Sequence, residues 1–240
     1  MKKKINLSLN CSKSIRRRRE IKYVVIHYTG MQSEIESIVR LKNTRSKVSC
    51  HYLINRKGSI TQLVMENKVA WHAGKSKWKK INNLNFNSIG IELVNKGHRW
   101  GYENFSNLQI KTLINLCLSL KKKYKIKNEN FLGHSDIAPL RKIDPGEKFP
   151  WKKLSNFGIG IWYKEKIENI KIQKDKRSNF FFQNLKKIGY RYFNLRQRTP
   201  KDKLIIKAFQ RRYNSKKVSG LIDQKTLYIS HFLANKQKLS

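Results

Sequence analysis

The sequence predicts an α/β domain followed by a small helical region. Three observations carry this. Short β-branched and aromatic runs alternate with stretches whose apolar residues recur at helical spacing. Beyond residue 176 the strand-like runs stop and three short helical segments follow. One loop, Phe131–Gly146, gathers a His, two Asp and a Lys among two prolines and two glycines.

Taken in order, residues 1–19 read as a flexible basic tail. Lys22–Tyr28 is a buried strand with Val25 and His27 on one face and Val24, Ile26 and Tyr28 on the other. Thr29-Gly30 then turns the chain. A His that closes an apolar strand is either a satisfied core residue or a ligand, and the strand alone leaves both open. Ser33–Glu36 is a capping box for a helix over 34–42, with Ile35, Ile38 and Val39 at helical spacing. Ser49–Asn55 and Ile60–Met65 are strands joined by the turn Arg56–Ser59, and His51 shares a face with Ser49 and Leu53. In Ala70–Gly74, AWHAG, Trp71 and His72 suit a ligand-contacting wall, or a structural Trp beside an exposed His. Asn87–Asn95 is a central strand whose Gly90, Glu92 and Val94 face one side. A carboxylate inside such a run is costly to bury unless it is paired or open to a cleft, so Glu92 is a site candidate.

Ser106–Gln109 caps a long helix over 107–124, marked by Ile110, Leu113, Ile114, Cys117 and Tyr124. Cys117 is then a core residue. A short helix near Leu154 ends the α/β domain, which spans 20–157. Residues 158–176 read as a connector and 177–236 as the helical region. There Gly189 caps a helix carrying Phe181, Phe182, Leu185 and Ile188. Thr199-Pro200 opens a second, with Leu204, Ile205, Ala208 and Phe209. Asp223 caps a third, with Leu227, Tyr228 and Phe232. This region holds no catalytic cluster and reads as a binding module.

The chain has 240 residues, with 54 Lys+Arg against 15 Asp+Glu and a formal charge of +39. Such a field draws in polyanions. The excess is mostly Lys spread along the whole length, which reads as a compositional bias more than a designed patch. No helix-turn-helix, zinc-finger, RRM or KH signature accompanies it, so specific nucleic-acid binding is not expected. Three Cys without a CxxC pair make no disulfide framework. No apolar run approaches the ~18 residues of a membrane span. The apolar stretch Ile5–Leu9 is shorter than the roughly 7–15 residues of a secretory h-region, and Asn10 before Cys11 fits a lipoprotein cleavage site poorly. The expectation is a cytoplasmic monomer.

The chemistry-bearing residues His27, Glu92, His134, Lys142 and Asp144 lie on three separate segments. Lys142 and Asp144 are two apart, so an extended backbone points both the same way. Two His and one Asp meet the demand of a catalytic zinc site, which uses three such ligands and keeps a position for water. Glu92 can carry the proton and Lys142 can stabilise an oxyanion. Together they describe metal-assisted amide hydrolysis, although the spacings alone are not specific to it.

The segments VVIHYT, SCHYLI, AWHAG, NSIGIELVN, GHSDIAP and RKIDPG, in this order, resemble the zinc-dependent N-acetylmuramoyl-L-alanine amidases, whose fold is shared with peptidoglycan recognition proteins. The likeness runs over about residues 20–235. It includes GIGIW in the connector, and AFQRRY and GLIDQKTL, which resemble a peptidoglycan-binding module. The resemblance implies a mixed sheet flanked by helices. It implies one Zn2+ per chain on His27, His134 and Asp144, with Glu92 as acid/base and Lys142 as transition-state stabiliser. It places His51, Trp71, His72 and Asn95 at the substrate groove, and gives Asp136 no ligand role, leaving it to cap a turn. The implied substrate is peptidoglycan or its muropeptides, cut between N-acetylmuramic acid and L-Ala. The two-domain enterobacterial members work in the envelope, which sets a periplasmic site against the cytoplasmic expectation. A non-catalytic receptor on the same fold is the rival reading; such receptors usually lack a zinc ligand, whereas here all three positions are filled.

Overall fold

The computed structural model describes residues 3–164 and 169–236. Its strands are β1 (Lys3–Ile5), β2 (Ser12–Ile15), β3 (Tyr23–Tyr28), β4 (Tyr52–Ile54), β5 (Ile60–Gln62), β6 (Lys68–Val69), β7 (Lys77–Trp78), β8 (Ile81–Asn82), β9 (Ser88–Leu93) and β10 (Phe131–Gly133). Its α-helices are α1 (Glu34–Lys42), α2 (Asn107–Tyr124), α3 (His134–Ile137), α4 (Trp151–Ser155), α5 (Arg177–Ile188), α6 (Asp202–Tyr213) and α7 (Gln224–Lys236). Six strands form the main sheet in the order β1-β5-β4-β9-β3-β10. The β4·β5 hairpin is antiparallel and the other pairings are parallel, so the sheet is mixed.

Alternation along β3 sorts the layers. Val24 and Ile26 face α2, joining Ile89, Ile91, Ile110, Leu113, Cys117 and Phe131 in one core. Ser106 caps α2 by accepting from the Gln109 amide. The opposite face has two covers. Leu41 of α1 packs with Leu53 and Val94. Val25 and Leu132 pack with Phe181, Phe209 and Leu227 of the C-terminal helices. Between the covers, the carboxyl ends of β3, β9 and β10 are left open, the usual place for a site beside parallel strands.

Three expectations are corrected. Residues 3–19 are not a free tail, while Met1 and Lys2 lie outside the described residues. β1 adds to the sheet edge, with Lys3 opposite Ile60. β2 pairs with β6. Arg16 is 2% exposed and donates to the carbonyls of Glu66, Asn85, Phe86 and Ser88 at 2.6–3.1 Å. A guanidinium buried among four carbonyls is satisfied there as it would be in water. Second, the helical region is not set apart from the α/β domain; the apolar faces of α5, α6 and α7 are continuous with the core at β3 and β10. Third, α1 buries Ser37 and Leu41, whereas Ile35 and Val39 are exposed.

Candidate active site

His27 is the last residue but one of β3, and its neighbour in register on β9 is Glu92. Side chains paired across adjacent strands share a face, so both point into the open end of the sheet. β10 ends at Gly133, paired with Ile26, which brings His134 level with His27 on the other side. The loop after α3 folds back: the Ser135 amide donates to the Asp144 carbonyl at 2.8 Å, and the Ala138 carbonyl accepts from the amides of Arg141 and Lys142. Asp144 thereby returns to His134 despite the sequence between them.

The result is a tight donor cluster. His27 Nδ1 lies 2.9 Å from His134 Nδ1, and each lies 3.1 Å from Asp144 Oδ2. All three residues are buried. The hydrogen-bond chain behind His27 orients its ring. Ser88 Oγ gives its hydrogen to the Leu84 carbonyl at 2.6 Å, so it must accept from His72 Nε2 at 3.2 Å. His72 Nδ1 is then bare and accepts from His27 Nε2 at 3.0 Å. On the other side, His134 Nε2 lies 3.2 Å from the Ala73 carbonyl and 3.3 Å from an Arg141 guanidinium nitrogen. The Nδ1 atoms of His27 and His134 thus converge on one point with a carboxylate oxygen. That arrangement calls for a cation. Imidazole and carboxylate donors with outer nitrogens held in this way suit a borderline-soft divalent metal.

The charges agree. Burial, with His134 beside it, pushes His27 down to about 4 against the pull of Asp144, so the ring is neutral near pH 7. Burial alone would raise Asp144, but the two imidazoles hold it well below the usual carboxylate range. Glu92 moves the other way. Burial first, and then Asp144, push it up to about 8, while Lys142 opposes the shift. Glu92 Oε2 is buried without a hydrogen-bond partner.

These residues open on a cleft of about 820 Å³ lined by His27, His72, Glu92, His134, Lys142 and Asp144, with Glu36 and Arg40 from α1 at its rim. The five chemistry-bearing residues expected from the sequence are thus brought together. A larger groove of about 1050 Å³, beside Lys121, Trp162 and Tyr163, gathers no imidazole and no pair of carboxylates.

The four residues expected at the substrate groove divide. Trp71 lines a side pocket that shares His72, His134 and Lys142 with the cleft. His72 reaches the cleft, but both ring nitrogens are engaged in the chain behind His27. His51 is fully buried behind the site; its Nδ1 accepts from the Gly90 amide at 3.0 Å, and its Nε2 meets the Lys68 carbonyl and Arg16. Asn95 is 1% exposed, and its amide closes the following loop through the Glu103 carbonyl and the Gly97 amide. His51 and Asn95 are scaffold, because every polar atom that would meet a ligand is already used inside the fold.

The structure adds residues that the sequence did not single out. Arg141 donates to the carbonyls of Ala73 and Lys75 and lines the cleft. His98, which carries no assignment from the sequence, stacks on Tyr102 at 4.3 Å between ring centres, bonds Tyr28 and pairs with Glu147. It forms one wall. One signal was in the sequence: a glycine inside a strand marks a close approach. A Cβ on Gly90 would lie 2.3 Å from His72 Cγ, so the imidazole sits directly on β9.

The profile of the Amidase_2 family, N-acetylmuramoyl-L-alanine amidase, matches residues 17–147, the stretch that builds this cluster. The chain belongs to this amidase family. Among amidases of the family, AmiD from Escherichia coli K12 is 44% identical over a 154-position alignment covering 59% of this chain and 55% of that protein. The 1,6-anhydro-N-acetylmuramyl-L-alanine amidase AmpD of Haemophilus influenzae is 42% identical over 108 positions, covering 45% of this chain and 56% of that protein. The chain thus spans little more than half the length of these curated relatives. Solved structures match over more of it. AmiD from E. coli, in complex with the substrate anhydro-N-acetylmuramic acid-L-Ala-D-gamma-Glu-L-Lys, superposes with a TM-score of 0.80 at 33% identity, over 94% of this chain and 92% of that one. AmpDh3 from Pseudomonas aeruginosa does so at 0.79 and 29% identity, over 95% of each. The mixed sheet flanked by helices is the fold of these amidases.

Proposed function

We propose that the protein is a Zn2+-dependent amidase that cleaves the bond between the lactyl carbonyl of N-acetylmuramic acid and L-Ala in muropeptides. The observation that carries this reading is the convergence of two imidazole nitrogens and Asp144 on one point, with the partnerless Oε2 of Glu92 in the same cleft. His27, His134 and Asp144 would hold the ion, one per chain. Bound there, Zn2+ supplies Lewis acidity toward water and the scissile carbonyl. Its charge also favours the ionised form of Glu92.

The chain's own groups do the rest. Ionised Glu92 takes a proton from the attacking water. The oxygen adds to the lactyl carbonyl carbon, and the Lys142 ammonium stabilises the negative charge that gathers on the carbonyl oxygen. Glu92 then passes the proton to the amide nitrogen as the C–N bond breaks. The products are a lactyl carboxylate and a free α-amino group on L-Ala. Arg40, Arg99 and Arg141 on the cleft suit the carboxylates of a stem peptide, and Trp71 beside it offers a ring for the sugar or peptide. Support for muropeptides comes from relatives: AmiD was solved with an anhydro-muramyl peptide substrate and AmpDh3 with anhydromuramic pentapeptide.

Purified protein offered soluble anhydro-muropeptides and intact sacculus should release free stem peptide from at least one, in a metal-dependent way. Asp144→Ala should lose both Zn2+ and activity. Glu92→Ala should keep Zn2+ and lose turnover by about 10²-fold or more. A fully active Glu92→Ala protein would show that another group moves the proton.

A further inference from the structure

The loop carboxylate left over from the metal cluster, Asp136, is not a simple turn cap. It is 1% exposed and sits two residues after His134 in α3. Its Oδ2 accepts from the Gly133 amide at 2.8 Å and pairs with Arg212 of α6. Its Oδ1 accepts from the Tyr190 hydroxyl at 2.5 Å. Arg212, itself 4% exposed, also donates to the Phe131 carbonyl at 2.9 Å and lies 3.9 Å from the centre of the Trp151 ring. The hydrogen bonds of Arg212 to Asp136 and Phe131 thus land on β10 and on the turn that carries His134. Gly133 completes the junction. A Cβ there would meet Pro145 at 2.8 Å, Trp151 at 3.3 Å and Asp136 at 3.4 Å. Pro145 directly follows Asp144. Two of the three donor residues are therefore seated on ground that the C-terminal helices hold from behind.

We propose that Arg212 and Tyr190 of the C-terminal region, acting through Asp136, are positioning residues for the metal cluster, so that this region is part of the active-site scaffold rather than an appended binding module. The inference rests on the proposed Zn2+ site. A bidentate guanidinium spanning Asp136 and the Phe131 carbonyl ties the first residue of β10 to the turn that follows its last, which an ammonium on a flexible stem does not do. Tyr190 holds the second carboxylate oxygen and so fixes the rotation of Asp136. Coupling between two sites is reciprocal, so filling the metal site must in turn steady α6.

The test measures Zn2+ affinity of the full-length protein by chelator competition, well below each variant's melting temperature. Arg212→Lys and Tyr190→Phe are compared with Leu227→Ala, which loosens the same core without touching Asp136. The expected result is a loss of Zn2+ affinity of about 10-fold or more in the first two, with wild-type affinity in Leu227→Ala despite its lower melting temperature. Zn2+ should also slow amide exchange in α6 of the wild type, and do so less in Arg212→Lys. Tyr190→Phe removes one hydroxyl and folds even if the Arg212 variant does not. Unchanged affinity in Tyr190→Phe and Arg212→Lys, or an equal loss in all three variants, overturns the inference while leaving the metal reading intact. A wild type that takes up no Zn2+ overturns both.

Discussion

At the scale of single residues, the site depends on groups that never meet the substrate. His72 is the clearest. It accepts a hydrogen bond from His27 Nε2 and thereby leaves Nδ1 free as a ligand atom. His72→Ala should lower Zn2+ affinity by about 10–100-fold, read by chelator competition, while circular dichroism stays that of the wild type. Retained affinity would return His72 to the substrate wall. Glu92 makes a second, independent prediction through stability. In metal-stripped protein its folded-state pKa is raised from 4.5 to about 8. Between those values the folded state binds more protons than the unfolded one, so stability falls as pH rises through the window. Glu92→Gln lacks that titration. Denaturant unfolding at pH 5 and pH 8 should show the variant gaining on the wild type by at least about 1 kcal/mol at the higher pH; an unchanged difference would mean that Glu92 is not desolvated.

At the scale of elements, the N-terminal strands gain their place from Arg16. Its guanidinium, directly after β2, ties that strand to the carbonyls leading into and opening β9. Replacing it with Met strands several buried carbonyls, each worth about 1–3 kcal/mol. Arg16→Met should therefore lose about 3 kcal/mol or more in chemical denaturation, and a loss within 0.5 kcal/mol, the ordinary surface range, would place Arg16 in solvent. This element was hidden in the sequence because Arg16 opens the run Arg16–Arg19, and a cluster of like charges reads as solvated. Only tertiary carbonyls select one of the four. The elements that were legible had local signals that tertiary packing did not oppose. α1 and α2 begin at their capping serines and end where the periodicity stops, and β3 and β9 carry the alternation that separates core from cleft. The donor residues were legible by type and by family resemblance. His51 and Asn95 were not separable from ligand-contacting residues, since a sequence does not say whether a polar side chain's partner is substrate or backbone. Apolar spacing also misassigned the outward face of α1, where Ile35 and Val39 stand exposed.

At the scale of the whole molecule, the helices after the connector and the sheet before it share one core. Calorimetry and tryptophan fluorescence should follow a single coincident unfolding transition, as expected of one cooperative unit; two resolved transitions would show that α5–α7 fold apart from the sheet. The strong positive charge is spread along the whole sequence, and among the described residues no helix is long and apolar enough to cross a membrane. The shared core has a consequence for how the molecule would work along a polymer. A domain on a flexible tether searches a volume set by its linker, and cuts at any point within reach. Here the outer faces of α5–α7 stand at a fixed offset from His27. Any surface that these faces met would be held to the cleft at one spacing and in one direction, an interval set by the fold.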